Sequence, residues 1–338
     1  MKPSALAAAV IPIALLLGGA PLKSAGIVFH GKNGLGKGKK VVLIAGDDEY
    51  RSEEALPQLA KILARRHGFT CTVLFAINPK DGMIDPHEMR NIPGLEALRH
   101  ADLLILLARF RDLPDNQMKY LADYIESGRP IIGIRTATHA FNLETSKTYA
   151  KYSWNSKVPG WEGGFGRRVL GETWIAHHGE HGKQSTRGIF VKGQESNPIL
   201  RGIGDGEIWT RTDVYEVRLP LPPTCRPLIL GEVLSGMSPR DTPVPGKPNN
   251  PMIPVAWTNS YTGAKGKTAR VFTTTMGSAQ DLDNEALRRL LVNAAYWAVG
   301  LEDKIPAKSD VDLVGEYHPD PFSFTDYPKG LKPSDFAK

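Results

Sequence analysis

The segment Ala176-His177-His178-Gly179-Glu180-His181-Gly182-Lys183 gathers three imidazoles and a carboxylate into one short stretch. Imidazole with carboxylate suits a divalent ion such as zinc, and two or three protein ligands with one open position would activate a bound water. The candidate ligands are His177 and His181. The spacing is not His-Glu-x-x-His, and Gly179 and Gly182 argue for a loop rather than a helix face. The competing assignment is therefore a polar, histidine-rich loop lining a ligand cleft. Further polar clusters follow three apolar runs: Asp47-Asp48-Glu49-Tyr50-Arg51, Arg109-Phe110-Arg111, and Arg135-Thr136-Ala137-Thr138-His139. Histidine and carboxylate are the usual proton-transfer groups near neutral pH. Arg135, His139 and Glu49 are accordingly candidate catalytic residues. Asp47, Asp48, Arg51, Arg109, Phe110, Thr136, Trp154 and His178 are candidate substrate-binding residues. Asp47 to Glu49 could equally serve the dipole of an adjacent helix, and His139 could simply pack against a sheet.

Each cluster has an element to hold it. Lys40 to Gly46 and Leu103 to Leu107 are continuous apolar runs of the kind buried on both faces of a parallel sheet, and Phe69 to Phe75 gives another strand. After the first run, Leu56, Leu59, Ile62 and Leu63 repeat at helical spacing. Pro57 is tolerable only in a first turn, which predicts a helix start near Glu53 or Glu54. Asp115 to Ser127 is amphipathic and stops at Gly128; Asn284 to Val299 is a strong final helix. Alternating strands and helices predict a doubly wound α/β sheet, whose ligands lie beyond the carboxyl ends of the strands. All three polar clusters fall on that edge.

From Glu144 to Arg187 the periodicity disappears and Trp, Gly and His dominate, an irregular insertion of a length that is usually functional. Trp154 and Trp161 in it are the better candidates for stacking on a sugar ring; Trp297 belongs to the last helix. Short strands are expected at Gly188 to Lys192, Val214 to Arg218, Leu228 to Val233, Val255 to Thr258 and Ala269 to Thr275.

Hydrophobic content of 41% and charged content of 23% are those of a globular protein with a sizeable core. The net charge of +6 is spread along the chain without a basic block, which argues against a nucleic-acid partner. Lys2, an apolar run from Ala5 to Leu17, and the small residues after it read as a secretory signal over 1–25, implying a periplasmic or secreted protein with no stable membrane span after processing. Residues 26–38 read as a flexible leader, and 304–338 as an extended tail ordered only if it docks. Cys71 and Cys225 could form one disulfide, although Cys71 sits in a strand pattern that favours a buried thiol.

The elbow Pro130-Ile131-Ile132-Gly133-Ile134-Arg135-Thr136-Ala137-Thr138-His139 resembles that of class I glutamine amidotransferases, with Arg135 where the nucleophilic Cys stands and Ala137 for a Gly. A guanidinium stays protonated and cannot attack a carbonyl, so Cys-dependent glutaminase chemistry is excluded. Together with Val41 to Ala45, Asn197-Pro198-Ile199-Leu200, Asp213-Val214-Tyr215-Glu216, Pro254-Val255-Ala256-Trp257 and Arg270 to Gly277, the order of segments over residues 39–303 resembles the ThuA-like (trehalose utilisation) family of the glutamine-amidotransferase-like superfamily. That resemblance implies a flavodoxin-like sheet and an association with the breakdown of sugars, including oxidised (3-keto) glycosides. Members often carry His where this chain has Arg135.

The expectation is an exported enzyme of hydrolase or isomerase type acting on a small-molecule carbohydrate by acid/base chemistry. A non-catalytic sugar-binding or assembly module is the alternative, and self-association is compatible with either. A carboxylate from 47–54 is expected to pair with Arg135, leaving a nearly neutral site suited to an uncharged sugar, because unpaired charges in a partly dry cleft are costly.

Overall fold

A computed structural model describes residues 26–337. The signal assigned to 1–25 lies outside the described residues. Two apolar strands, β2 (Lys40–Gly46) and β4 (Leu103–Ala108), lie side by side at the centre of the sheet. Around them the parallel order is β3 (Thr70–Phe75), β2, β4, β5 (Ile131–Ile134) and β12 (Thr268–Thr274). This is the flavodoxin-type strand order, and its switch point falls between β2 and β4.

Helices cover both faces because strand side chains alternate. Val41, Leu43 and Ala45 pack in one core with helices α1 (Ser52–Arg65) and α3 (Glu285–Ala298). Val42 and Ile44 pack in the other with α2 (Asp115–Glu126). The long connection from β5 to β12 builds an antiparallel extension. Its strands β11 (Ile253–Thr262), β10 (Arg226–Val233), β7 (Thr186–Phe190) and β8 (Ile208–Thr210) continue the sheet outward from β12 to ten strands in all. A separate two-stranded piece pairs β6 (His177–His178) with β9 (Val214–Tyr215). Among the described residues no helix is long and apolar enough to cross a membrane.

Several boundaries differ from the expectations. Gly26–Phe29, expected in a flexible leader, is strand β1, antiparallel to β3 at the sheet edge. Gly26 fits because a Cβ there would meet the Val73 carbonyl oxygen at 2.3 Å. Helix α1 begins at Ser52, so Pro57 lies inside the helix rather than in its first turn. The elbow continues as a short 3-10 helix over Arg135–His139. Cys71 and Cys225 are both buried free thiols.

Candidate functional site

Among the described residues, the non-glycine residues with positive φ are Arg51 (58°), Phe110 (49°) and Arg135 (46°). They follow β2, β4 and β5 respectively, at the carboxyl edge of the sheet. Left-handed backbone costs a bulky residue of order 1–3 kcal/mol and persists where the surroundings over-determine it, which happens most often at functional sites.

The three clusters meet at this edge. Asp47 is buried and accepts the Thr136 hydroxyl at 2.6 Å, the Glu49 amide at 2.8 Å and the Tyr50 amide. It organises the loop after β2 and ties it to the elbow. Asp48 pairs with Arg109 at 3.2 Å and lies 3.6 Å from Arg111; Arg109 also reaches Glu49 at 3.5 Å. Arg111 is fully buried and donates to the carbonyls of Pro86 and Glu88, pinning that loop over the site.

Arg135 is fully buried, with its guanidinium carbon 3.7 Å from the Tyr50 ring centre and 5.0 Å from that of Tyr215. It donates to Thr212 Oγ1, to the Asp213 and Thr275 carbonyls, and to Asp213 Oδ1 at 3.2 Å. Its carboxylate partner therefore comes from the segment before β9, not from 47–54 as expected. Arg109, Arg111 and Arg135 nonetheless each have an acidic partner.

Asp213 organises a second layer. His177 Nδ1 lies 2.5 Å from its Oδ2 and His181 Nδ1 lies 3.0 Å from its Oδ1. Burial alone would raise the Asp213 carboxyl, but the hydrogen bonds from His177 and His181 and the Arg135 charge outweigh it and hold the group well below the usual range. An ionised carboxylate only accepts, so each imidazole presents Nδ1–H to it. For His177 this leaves Nε2 without a hydrogen-bond partner among the described residues, on a side chain 38% exposed. For His181 it places Nε2 3.4 Å from Glu49 Oε1. Burial and the neighbouring Asp47 raise Glu49; the Asp213 hydrogen bond raises His181. A proton is thus favoured on the Glu49–His181 pair.

His177, His181 and Asp213 each offer one ligand atom, all within 4.8 Å of one another. Two imidazoles and a carboxylate fit a zinc-type donor set. Arg135, on the same carboxylate, opposes a dication there.

Aromatic rings line the neighbouring wall. His139 is buried, 4.8 Å from Phe110, 5.6 Å from Trp174 and 5.4 Å from Tyr215 between ring centres, and burial with the Arg109 and Arg135 charges keeps it neutral well below its ordinary pKa. Trp154 contacts Phe110 and Trp174, and Trp174 reaches His177 at 6.2 Å. His178 turns the other way, as strand alternation requires, and bonds the Pro248 carbonyl. Arg51 bonds the Pro321 carbonyl of the C-terminal arm. Trp161 packs on Tyr152 instead and lines a separate cavity of about 610 Å3 with Lys151 and Arg168.

Asp213, Tyr50, Tyr215 and Trp174 were not singled out as site residues from sequence. The only signal for Asp213 and Tyr215 was their place in a family-like segment. Nothing local ties an aspartate to histidines 36 and 32 residues away.

A family model described as ThuA, trehalose utilisation, matches residues 40–298. Among solved structures, a ThuA-like protein from Bacteroides uniformis is similar at 15% identity and a TM-score of 0.48, covering 79% of this chain and 94% of that one. Another from Parabacteroides merdae is similar at 16% identity and a TM-score of 0.46, covering 86% of this chain and 96% of that one. No curated protein sequence matches.

Proposed function

This chain belongs to the ThuA family, described by trehalose utilisation, and from that premise we propose that it acts on a carbohydrate, an oxidised (3-keto) glycoside above all, by acid/base chemistry at the ends of β2, β4 and β5. The observation that carries the proposal is the convergence of Glu49, His181, Asp213 and His177 beside an aromatic wall, with the nearby arginines already paired.

The division of labour follows from the hydrogen bonds. Arg135 fixes Asp213, and Asp213 fixes the tautomer of both histidines. His177 Nε2 is then free to take a proton from a hydroxyl or from a carbon beside a carbonyl. The Glu49–His181 pair holds a proton that can be returned to a departing or enolic oxygen. A nearly neutral set of partners suits a ligand bound through hydroxyls. Periplasmic or secreted location belongs to the same proposal and rests on the composition of residues 2–25; fractionation and the amino terminus of the mature chain check it.

The test is a thermal-shift and product screen over disaccharides and their 3-keto forms. A 3-keto disaccharide is expected to stabilise the protein and be converted. Replacing His177 by Ala should lower turnover by roughly 10²–10⁴-fold, the range of a positioned proton-transfer group. No stabilisation by any saccharide rejects the proposal.

A second possibility is favoured by one observation: the position that carries the nucleophile in active amidotransferases is sealed here, with Arg135 beneath Tyr50 and Tyr215. A non-catalytic sugar-binding module on this fold would bind saccharide without product and would tolerate His177→Ala.

A further inference from the structure

Residues 305–337 lie beyond the family match, yet they are fastened along the molecule up to the site and past it. The Asp310 carbonyl meets His67 Nε2 at 2.6 Å, and the Tyr317 hydroxyl donates to the Ala279 carbonyl. The Asp320 amide donates to Glu54, and the Ser323 amide donates to the Glu49 carbonyl at 2.9 Å. Beyond the site, the Tyr327 hydroxyl bonds Asp85, the Ile84 amide donates to the Leu331 carbonyl, and Phe336 stacks on Phe75. The chain between these anchors crosses the rim at the end of β2. There Phe322 packs 4.8 Å from the His181 ring and 5.5 Å from Tyr50. Phe324 lies 4.8 Å from the Arg109 guanidinium, as does Phe110, and it remains 44% exposed.

We propose that the Phe322–Phe324 segment is the second wall of the ligand cleft, and that Phe324 is the stacking surface for the second ring, or aglycone, of a glycoside. The proposal rests on the carbohydrate assignment above. Three observations carry it. An apolar ring held by backbone anchors on both sides, yet left open to water, presents a flat face without further ordering. Its neighbours, Arg109 and through it Asp48 and Glu49, are polar groups fixed in place, so a ligand meets hydrogen-bonding groups and an apolar face together, the usual make-up of a selective small-molecule site. Arg109 also lies against Phe110, which continues into Trp154 and Trp174. The first ring of a disaccharide would face His177 and His181, and the second would reach the arm.

Phe324→Ala decides it, in the full-length chain, with trehalose, 3-ketotrehalose and glucose as probes in isothermal titration. Loss of one aromatic contact is expected to weaken the disaccharide that wild type binds by ~3- to 10-fold. Glucose binding should change by less than about twofold, and Phe324→Trp should restore the disaccharide. The melting midpoint should stay put, since the ring is already exposed. Unchanged disaccharide binding in Phe324→Ala overturns the arm's role and leaves the carbohydrate assignment standing. Equal weakening of glucose and disaccharide also overturns it, because the contact would not be to a second ring. Wild type binding none of the three rejects the carbohydrate assignment, and this inference with it.

Discussion

Arg135 shows how a single side chain can lose one chemistry and supply another. At the elbow it cannot act as a nucleophile, and it is buried too deeply to meet a ligand. Its charge stabilises the Asp213 carboxylate, and through it the orientation of His177 and His181. Removing one partner of a buried ion pair strands the other charge away from water. Asp213→Ala is therefore expected to cost about 3–5 kcal/mol in urea unfolding at neutral pH. Adding Arg135→Met should recover most of that loss, since an apolar replacement of both partners no longer buries a charge. A single-variant loss under about 1 kcal/mol would mean that Thr212 and the carbonyls of Asp213 and Thr275 satisfy Arg135 without the carboxylate.

At the scale of elements, the first turn of α1 carries an unusual load. Glu53 is buried with neither carboxylate oxygen hydrogen-bonded, and burial raises its pKa from 4.5 to about 8. The helix dipole favours its charged form, but desolvation wins. The folded chain therefore keeps a proton that the unfolded chain releases above 4.5. The stabilising effect is complete below that pH and drains away as pH rises toward 8. Glu53→Gln should remove this slope. Compared by urea midpoint, the variant should gain on wild type by a few kcal/mol (order of magnitude) between pH 5 and pH 8.5. Parallel curves for the two proteins would show that Glu53 finds water or a partner in solution. The same turn is braced by the arm, through Glu54 and the Asp320 amide, so its stability is bound up with residues far along the chain.

For the whole molecule, the arm behaves as a structural layer. It bonds to α1, to the loop after β3 and to the residues before α3. Deleting 315–338 would uncover Phe75 and Tyr50 and break the Ile84–Leu331 hydrogen bond. The expected result is a melting midpoint lower by several degrees, since each kcal/mol shifts it by about 2–4 °C at 150–250 residues and by less in a longer chain, with the far-ultraviolet circular dichroism of the core kept. An unchanged midpoint would show that the arm contributes little.

The apolar runs of β2 and β4, the helical spacing of α1 and the final helix α3 were legible from sequence because burial on a regular element imposes a local period. For the same reason the ends of those strands could be read as the edge that carries the polar clusters. The polar clusters at Asp47, Arg109 and Arg135 were visible, and so were His177 and His181. Their partners were not. Asp213 meets the histidines because β6 pairs with β9, a two-residue contact with no periodic signature. Phe322 and Phe324 meet Glu49 and Arg109 because an aperiodic tail returns across the sheet edge. Left-handed backbone at Arg51, Phe110 and Arg135 is likewise set by the surroundings rather than by residue type. Sequence thus determined the central strands and main helices and which edge carries polar groups. Tertiary structure alone decided which charges neutralise one another and which rings face the opening, because those depend on long-range contacts that no local pattern encodes.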